Sequence, residues 1–511
     1  MRAPGEMAAA PGQARPSARV TAIALIATVA LGATLRLHGL AAENLWTDEG
    51  TSLVLSGGDS LVGIIADVAA RDSHPPLYQL LLHLWRRAFG SSDFAIRSLS
   101  ALLGTACVPA IFLVGAALYD RRIGLGAALL MAAMPAAVRF SQEARSYALL
   151  SLLAIGLWYL AVQITRRDRW TDAAGFAFVA VAIVYTHYWG GPVVAAAAIM
   201  AVALNVRAPE RRRRLIRFLP GLVLMAVGFA PWARVIAQHQ LATAQVGTSF
   251  TTGVSLVSLI GVFGRPFGAF LGMTPAGILA LLVALASAAL VAATPGSARA
   301  APPATPGARW WCLGMLVIPV VLIAAIAQVT TFWVGIRMPN LTMVPTAVIC
   351  AAAVAGLWNA RRRGAAVVLA SAVAGLCVAG VWRIYAEPLR PDWEEIAAVI
   401  AAHERPGDTV AIVNGAWNVE LFERYYRGAL PVVGLSNEIT DPDRVRAAVR
   451  DIWPQGGRIW LILVSSGSSP VEHVMREMSA GEQQFRVGFV RFIMFEPRPA
   501  PPPADTQGDM A

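Results

Sequence analysis

The sequence predicts a polytopic α-helical membrane protein of about eleven transmembrane helices, with a small extracytoplasmic α/β domain at its C-terminal end. Three observations carry this. Apolar runs of about twenty residues recur along most of the 511-residue chain, and that is the length needed to cross a bilayer core. The composition is 57% hydrophobic and only 14% charged, whereas a soluble domain carries about a quarter charged residues. From residue 386 onward hydropathy drops and short helix-like and strand-like segments alternate. Helices are expected in the spans because a segment in lipid must satisfy its own backbone hydrogen bonds. The runs are also too long and too uniformly apolar for barrel strands.

The N-terminal tail, residues 1–19, carries Arg2, Arg15 and Arg19 and leads into an apolar run at 20–37. That run is long for a signal peptide and no small-x-small cleavage site follows it, so it reads as an uncleaved first span. The transmembrane domain is expected over 20–385. Further runs lie near 97–118, 124–139, 147–165, 173–189, 190–206, 217–235, 272–293, 311–329, 340–358 and 364–385. Trp170, Trp189, Trp232, Trp310, Trp333, Trp358 and Trp382 fall near the predicted span ends, as an interfacial aromatic belt would.

Between the first and second spans lies a long extracytoplasmic loop, 38–96. In it "SLVGIIADVAAR" places Leu61, Ile64, Ile65 and Val68 at helical spacing, with Asp67 and Arg71 elsewhere on the helix. This suits an amphipathic helix in the membrane interface. "HPPLYQLLLHLW" follows, where Pro75 and Pro76 force an extended approach. At the other end, residues 386–497 alternate between helix-like segments such as "DPDRVRAAVRDIW" and strand-like ones such as "TVAIV" and "RIWLILVSS". That alternation predicts a small α/β domain. The Pro-rich stretch at 498–511 predicts a disordered tail.

The net charge is +11, and all 42 basic residues are Arg. The clusters "YDRRIG", "TRRDRW", "APERRRRLIR" and "NARRRG" each lie between apolar runs. That is the pattern of cytoplasmic loops, not of a nucleic-acid surface. With the N-terminus inside, all four clusters fall on the cytoplasmic side, and eleven spans put 386–511 outside. The cysteines, Cys107, Cys312, Cys350 and Cys377, all fall in apolar runs and read as small buried hydrophobes without disulfide or metal spacing.

Unusual polar residues then collect on the outer side. "WTDEG" carries the adjacent acids Asp48 and Glu49 at the edge of the first span; His74 and Tyr78 flank the Pro pair. "RFSQEARSY" brings Arg139, Glu143 and Arg145; "YTHYWGG" brings His187 and Tyr188; "TTFWVGIRMPN" brings Arg337. Ionisable groups near hydrocarbon are costly, so several in successive outer loops suggest a shared polar cavity. Each has a plainer reading. Asp48 could cap a helix starting at "EGTSL", Glu143 and Arg145 could pair with each other, His74 could order its own loop, His187 could be a hydrogen-bonded interface histidine, and Arg337 could snorkel.

Four local features, "WTDEG", "HPPLYQLLLHLWRRAFGSSDFAIRSLSALLG", "FSQEARSYALLSLL" and "THYWG", occur in this order between residues 20 and 200. Together they resemble the C-type glycosyltransferases of the protein O-mannosyltransferase-like and lipid A aminoarabinose transferase-like branch. "GIRMPNLTMVPTAVICAAAVAGL" is similar to the family's Arg-bearing late helix, although Met338 stands where an aromatic is usual. The middle of the chain and the C-terminal domain match poorly. The resemblance implies a polyprenyl-phosphate sugar donor, mannose or similar, and a hydroxyl acceptor on a protein, glycolipid or cell-wall polysaccharide. It implies Asp48 as the base. Arg337, Arg145 and His187 would bind the donor phosphate, and His74, Tyr78, Glu143 and Tyr188 the substrates.

The chemistry suits those residue types. A departing polyprenyl phosphate needs cationic donors and no proton, while the acceptor hydroxyl needs one carboxylate. A glycoside hydrolase would use two separated carboxyl groups; adjacent acids on a helix point about 100° apart. Glu49 is left to orient Asp48, bind acceptor or help hold a metal. A divalent cation is compatible with the fold class, but no ligand cluster demands one. The rival readings are a lipid-linked-sugar transporter or flippase, which would favour paired broken helices, and a non-catalytic scaffold or receptor.

Overall fold

The computed structural model describes residues 17–167, 169–207, 209–246, 261–267, 274–293, 305–328, 339–387, 390–413, 416–436, 441–453, 457–464 and 469–498. Arg337, Trp333 and the tail beyond 498 lie outside the described residues.

Helix α1 (Ala18–Leu37) opens the bundle behind an N-cap at Ser17. Four helices of the first loop follow: α2 (Thr47–Leu55), α3 (Leu61–Arg71), α4 (Leu77–Phe89) and the first turns of α5 (Asp93–Leu118). The bundle continues with α6 (Arg121–Ala133), α7 (Pro135–Ser141), α8 (Tyr147–Arg166), α9 (Trp170–Thr186), α10 (Gly190–Asn205), α11 (Pro209–Leu215) and α12 (Leu219–Val246). It closes with α13 (Pro275–Ala293), α14 (Ala308–Ala327), α15 (Pro339–Asn359) and α16 (Arg363–Ala386).

Eight helices among the described residues are long and apolar enough to cross a membrane, or nine if the bent pair α6 and α7 is one span. The chain is thus a multi-pass membrane protein. The expected eleven spans would also need α9 and α10, which have 17 and 16 residues. At 1.5 Å per residue these reach about 25 Å, short of the roughly 30 Å hydrocarbon core. The expected straight span at 124–139 is bent by 56° between α6 and α7. Pro135, at the first position of α7, marks the break, because its ring leaves Met134 extended. Arg36 of α1 is buried against this bend. It donates to the carbonyls of Met131 and Ala132 and to Ser141 Oγ, groups clustered around the break in the helical ladder.

The helix α3 is amphipathic as expected, but its inner stripe is protein-facing. Ile64 and Val68 are fully buried with Leu55 against Trp232 of α12, while Leu61, Val62 and Ile65 stay exposed. Trp232 is therefore a core residue at 4% exposure, not part of an interfacial belt. Trp170, Trp310, Trp358 and Trp382 are exposed. All four cysteines are buried and unbridged.

The C-terminal part folds as α17 (Trp393–His403), β1 (Thr409–Val413), α18 (Ala416–Tyr425), β2 (Val432–Leu435), α19 (Pro442–Ile452), β3 (Ile459–Leu463), α20 (Pro470–Met478), β4 (Ser479–Val487) and β5 (Val490–Pro497). The sheet order is β2-β1-β3-β5-β4. β1 pairs in parallel with β2 and β3, and β5 runs antiparallel to β3 and β4. The uninterrupted apolar runs of β1 and β3 mark strands buried on both faces. The β4–β5 hairpin has no counterpart in the sequence reading. Its edge strand "SAGEQQFRV" is mostly polar and its tight turn uses Gly488 at φ +56°.

One face of this sheet does not close on its own. Val410, Ile412, Trp460 and Phe492 share a core with Trp393, Ile396 and Leu421 and with Leu45, Tyr78, Leu82 and Ile96 of the first loop. Trp393 Nε1 donates to Leu45 O at 2.8 Å, and Arg424 and Tyr425 bond Asp93 at 2.6 Å. The sheet domain is therefore seated on the first loop, against α2.

The bundle has two chemically distinct ends. Arg166 donates to Ala117 O and Arg214 to Thr165 O, and Thr305 bonds Ala117 O. These bonds gather the turns that carry Arg121, Arg166 and Arg211–Arg214. Helix α5, 26 residues long, runs about 39 Å from there to Asp93, and Arg97, one turn inside that end, lies where the acids of "WTDEG" are.

Candidate active site

Helix α2 has nine residues and carries the acids in its first turn, where carboxylates suit the helix dipole. Successive side chains point about 100° apart, so its faces meet different partners. Thr47 Oγ1 bonds Asn418 Oδ1 at 2.8 Å. Gly50 lies so close to α18 that an added Cβ would stand 3.3 Å from Trp417 O and 3.4 Å from Leu421. Glu49 turns inward, and Asp48 and Ser52 meet Arg145.

Glu49 is fully buried and both its oxygens are engaged. Arg97 Nε donates to Oε1 at 2.8 Å and Arg97 Nη2 to Oε2 at 2.7 Å. Ala144 N donates to Oε1 at 2.9 Å, and Arg390 Nε lies 3.6 Å from Oε2. Burial alone would raise its pKa, but Arg390 and Arg97 outweigh that and hold it at about 2. A carboxylate bound in this way is a structural anion. Of the roles the sequence left open for Glu49, the geometry favours orientation; it is not placed as a second reacting group. Arg97 also donates to the carbonyls of Leu40, Glu43 and Asn44, so one guanidinium fastens the whole start of the loop.

A second cluster surrounds Asp48. Arg145 is 5% exposed; its Nη1 donates to Asp48 O at 3.2 Å and Ser52 Oγ at 3.4 Å. Burial opposes its charge, and Tyr147, Asp48 and Asp72 together overcome this and raise its pKa. Asp72 Oδ1 accepts from His74 N at 3.0 Å and from His74 Nδ1 at 2.8 Å. Burial pushes Asp72 up, but His74 and then Arg145 bring it well below the usual carboxylate range. The His74 ring lies edge-on to His187 at 5.1 Å and 5.2 Å from Tyr188. His187 Nδ1 accepts from Trp189 N at 3.2 Å, so the neutral ring carries its proton on Nε2.

The structure thus brings together Asp48, His74, Arg145, His187 and Tyr188. Other expected site residues lie elsewhere. Tyr78 is turned fully into the core, where its hydroxyl bonds Ser100 Oγ at 2.8 Å. Ser100 in turn donates to Arg145 O, so Tyr78 supports the cluster without lining it. Glu143 pairs with Arg139 at 2.8 Å and not with Arg145. Arg337 lies outside the described residues. Asp72, Arg97, Arg390 and Ser52 were not singled out from the sequence. For Asp72 a signal existed: an aspartate two residues before a histidine can bond that residue's backbone N–H. Among the described residues no group of three or more His, Cys, Asp or Glu is placed to hold a metal ion.

Residues 73–234 match the family profile of dolichyl-phosphate-mannose-protein mannosyltransferases. No curated protein sequence matches the chain. Among solved structures, ArnT from Cupriavidus metallidurans bound to undecaprenyl phosphate superposes with a TM-score of 0.56 at 14% identity, over 94% of this chain and 98% of that one. The fold is that of the C-type glycosyltransferases. The Archaeoglobus fulgidus oligosaccharyltransferase aligns with a TM-score of 0.54 at 12% identity, over 86% of this chain and 67% of that one. The mycobacterial arabinofuranosyltransferase AftD aligns with a TM-score of 0.52 at 14% identity, over 95% of this chain and 40% of that one. At these identities the shared property is the fold.

Proposed function

We propose that this C-type glycosyltransferase fold moves a monosaccharide from a polyprenyl-phosphate carrier to a hydroxyl acceptor, with inversion, at the extracytoplasmic face. The observation that carries the reading is the meeting of Asp48 with Arg145, beside Asp72, His74, His187 and Tyr188, at the end of the bundle away from the arginine-rich turns. ArnT, which shares the fold, was solved with undecaprenyl phosphate.

Asp48 takes the proton of the acceptor hydroxyl, whose oxygen attacks the anomeric carbon. The bond to the carrier phosphate breaks on the opposite face. Arg145, joined by Arg337 and His187, stabilises the charge growing on the leaving phosphate. His74, held by Asp72, and Tyr188 supply polar and aromatic surface for the sugar. One carboxylate suffices for the proton, and Glu49 is spent on Arg97. The arginine-rich turns face the cytoplasm, so the site and the sheet domain lie outside, where a protein, glycolipid or polysaccharide acceptor is met.

Membranes containing the protein, given a labelled polyprenyl-phosphate sugar, should yield labelled product and free polyprenyl phosphate. Movement of intact labelled lipid between leaflets without product would make it a flippase. A reporter active only in the cytoplasm, fused after Arg498, should be silent; strong activity would reverse the orientation.

A further inference from the structure

Arg390 stands where the last bundle helix, α16, hands over to the sheet domain, yet its side chain reaches back into the first loop. It is 7% exposed. Its Nη2 donates to Gln142 O at 2.9 Å; Nη1 lies 3.5 Å from Glu43 Oε2 and Nε 3.6 Å from Glu49 Oε2. Arg97, Arg139 and Glu143 also act on it electrostatically. The six side chains, Arg97, Arg139 and Arg390 with Glu43, Glu49 and Glu143, carry three charges of each sign. The set is internally neutral, as a group taken out of water must be.

The position of Arg390 in this set is unusual. Gln142 and Ala144 belong to the loop that presents Arg145, and Glu49 belongs to the helix that presents Asp48. Gln142 Nε2 is itself held by the carbonyls of Leu35, Arg36 and His38 at the end of α1. One guanidinium therefore bridges the two segments that carry the candidate base and the candidate phosphate-binding cation.

We propose that Arg390 is a positioning residue. By gripping Glu49 and the Gln142 carbonyl together, it fixes helix α2 against loop 142–146 and so sets the spacing of Asp48 from Arg145. It also makes docking of the sheet domain a condition for that spacing. The catalytic consequence rests on the sugar-transfer reading; the structural consequence does not. A misplacement of about 1 Å between reacting groups can cost on the order of 100-fold in rate, which sets the scale of the effect.

The test compares purified wild type with Arg390→Gln, Arg390→Lys and the double variant Glu43→Gln/Arg390→Gln, by steady-state kinetics and by hydrogen–deuterium exchange. Arg390→Gln should lower kcat roughly 10- to 100-fold with donor KM within about threefold. Amides of 47–55 and 142–146 should exchange faster while β1, β3 and α14 keep wild-type protection. Arg390→Lys, a single ammonium that cannot serve both partners, should recover only part of kcat. The double variant restores charge balance; it should be as protected globally as wild type, yet keep a low kcat and a fast-exchanging 142–146 loop. Recovery of kcat in the double variant would reduce Arg390 to charge compensation and overturn the proposal. So would unchanged exchange at 47–55 and 142–146, or loosening spread over the whole chain that the double variant leaves in place. If wild type transfers no sugar from a polyprenyl-phosphate donor, the function reading fails, and the exchange arm still decides whether Arg390 fixes these two segments.

Discussion

Asp48 and Glu49 are neighbours in sequence and belong to different regions of the molecule. Glu49 lies in a closed, charge-balanced set in which both carboxylate oxygens are bonded. Asp48 lies beside Arg145, Asp72 and His74, in a cluster that its own members do not balance as neatly: two aspartates face one arginine and a histidine. Helix geometry alone separates them, since adjacent residues point about 100° apart. A charge held fully by protein is architecture, whereas a charge arrangement left open to a ligand is where chemistry belongs. We propose that the pair divides its work, one acid serving structure and one serving reaction.

That contrast fails first, and by the most, at Glu49. Glu49→Gln leaves Arg97 buried without its carboxylate, and breaking a buried pair costs about 3–5 kcal/mol. Little folded protein is expected after detergent extraction, by size-exclusion chromatography and thermal unfolding. The same residue sets an acid limit. Its folded pKa, about 2, lies below the ordinary carboxylate value of 4.5. The stabilisation, on the order of 3 kcal/mol, is therefore fully present above pH about 4.5 and lost as pH falls toward 2. A wild-type unfolding midpoint that stays level from pH 6 to pH 3 would remove Glu49 from the architecture.

Asp48→Asn should do the opposite. The folded yield and melting temperature should match wild type, while turnover drops roughly 100-fold or more. Donor binding should survive, because the amide removes no contact to phosphate. Near-normal turnover in folded Asp48→Asn would end the division of roles. Arg145 comes next: Arg145→Ala should raise donor KM and lower kcat, and Arg145→Lys should lose less, keeping the charge but not the planar fork. Initial rates with donor and acceptor varied separately decide this. An acceptor-only defect would move the phosphate site away from Arg145.

The sequence made the bundle legible because length and hydropathy alone define a span, and it made "WTDEG", "HPP" and "THYWG" stand out as polar residues in apolar surroundings. It could not tell Asp48 from Glu49 by position, because their difference is made by Arg97, 48 residues away, and by Arg390, which follows the last bundle helix in the chain. Tyr78 looked like a site residue beside His74, yet helix α4 begins between them and turns it inward to Ser100. The β4–β5 hairpin was hidden because its edge strand is polar, and period-two patterning shows best where one face is buried. Trp232 reads as an interfacial residue because nothing local reveals that α3 packs over it.

The smallest expected effect concerns Gly50, the last residue of "WTDEG". Gly in a helix costs roughly 1 kcal/mol relative to Ala, so its presence inside α2 has a packing reason. An alanine Cβ there would meet Trp417 O at 3.3 Å and Leu421 at 3.4 Å. These contacts are tight without being impossible, so α18 would yield by a few tenths of an ångström. Helix propensity and crowding then nearly cancel, and Gly50→Ala should change the melting temperature little. The shift should instead appear where α2 is gripped between the sheet domain and Arg145, as a several-fold loss of kcat without loss of donor binding. Gly50→Val, which cannot be accommodated by so small a movement, should undock the sheet domain, read as faster hydrogen exchange in α18 and in α17. Wild-type kcat and intact docking in Gly50→Val would show that the sheet domain does not position helix α2.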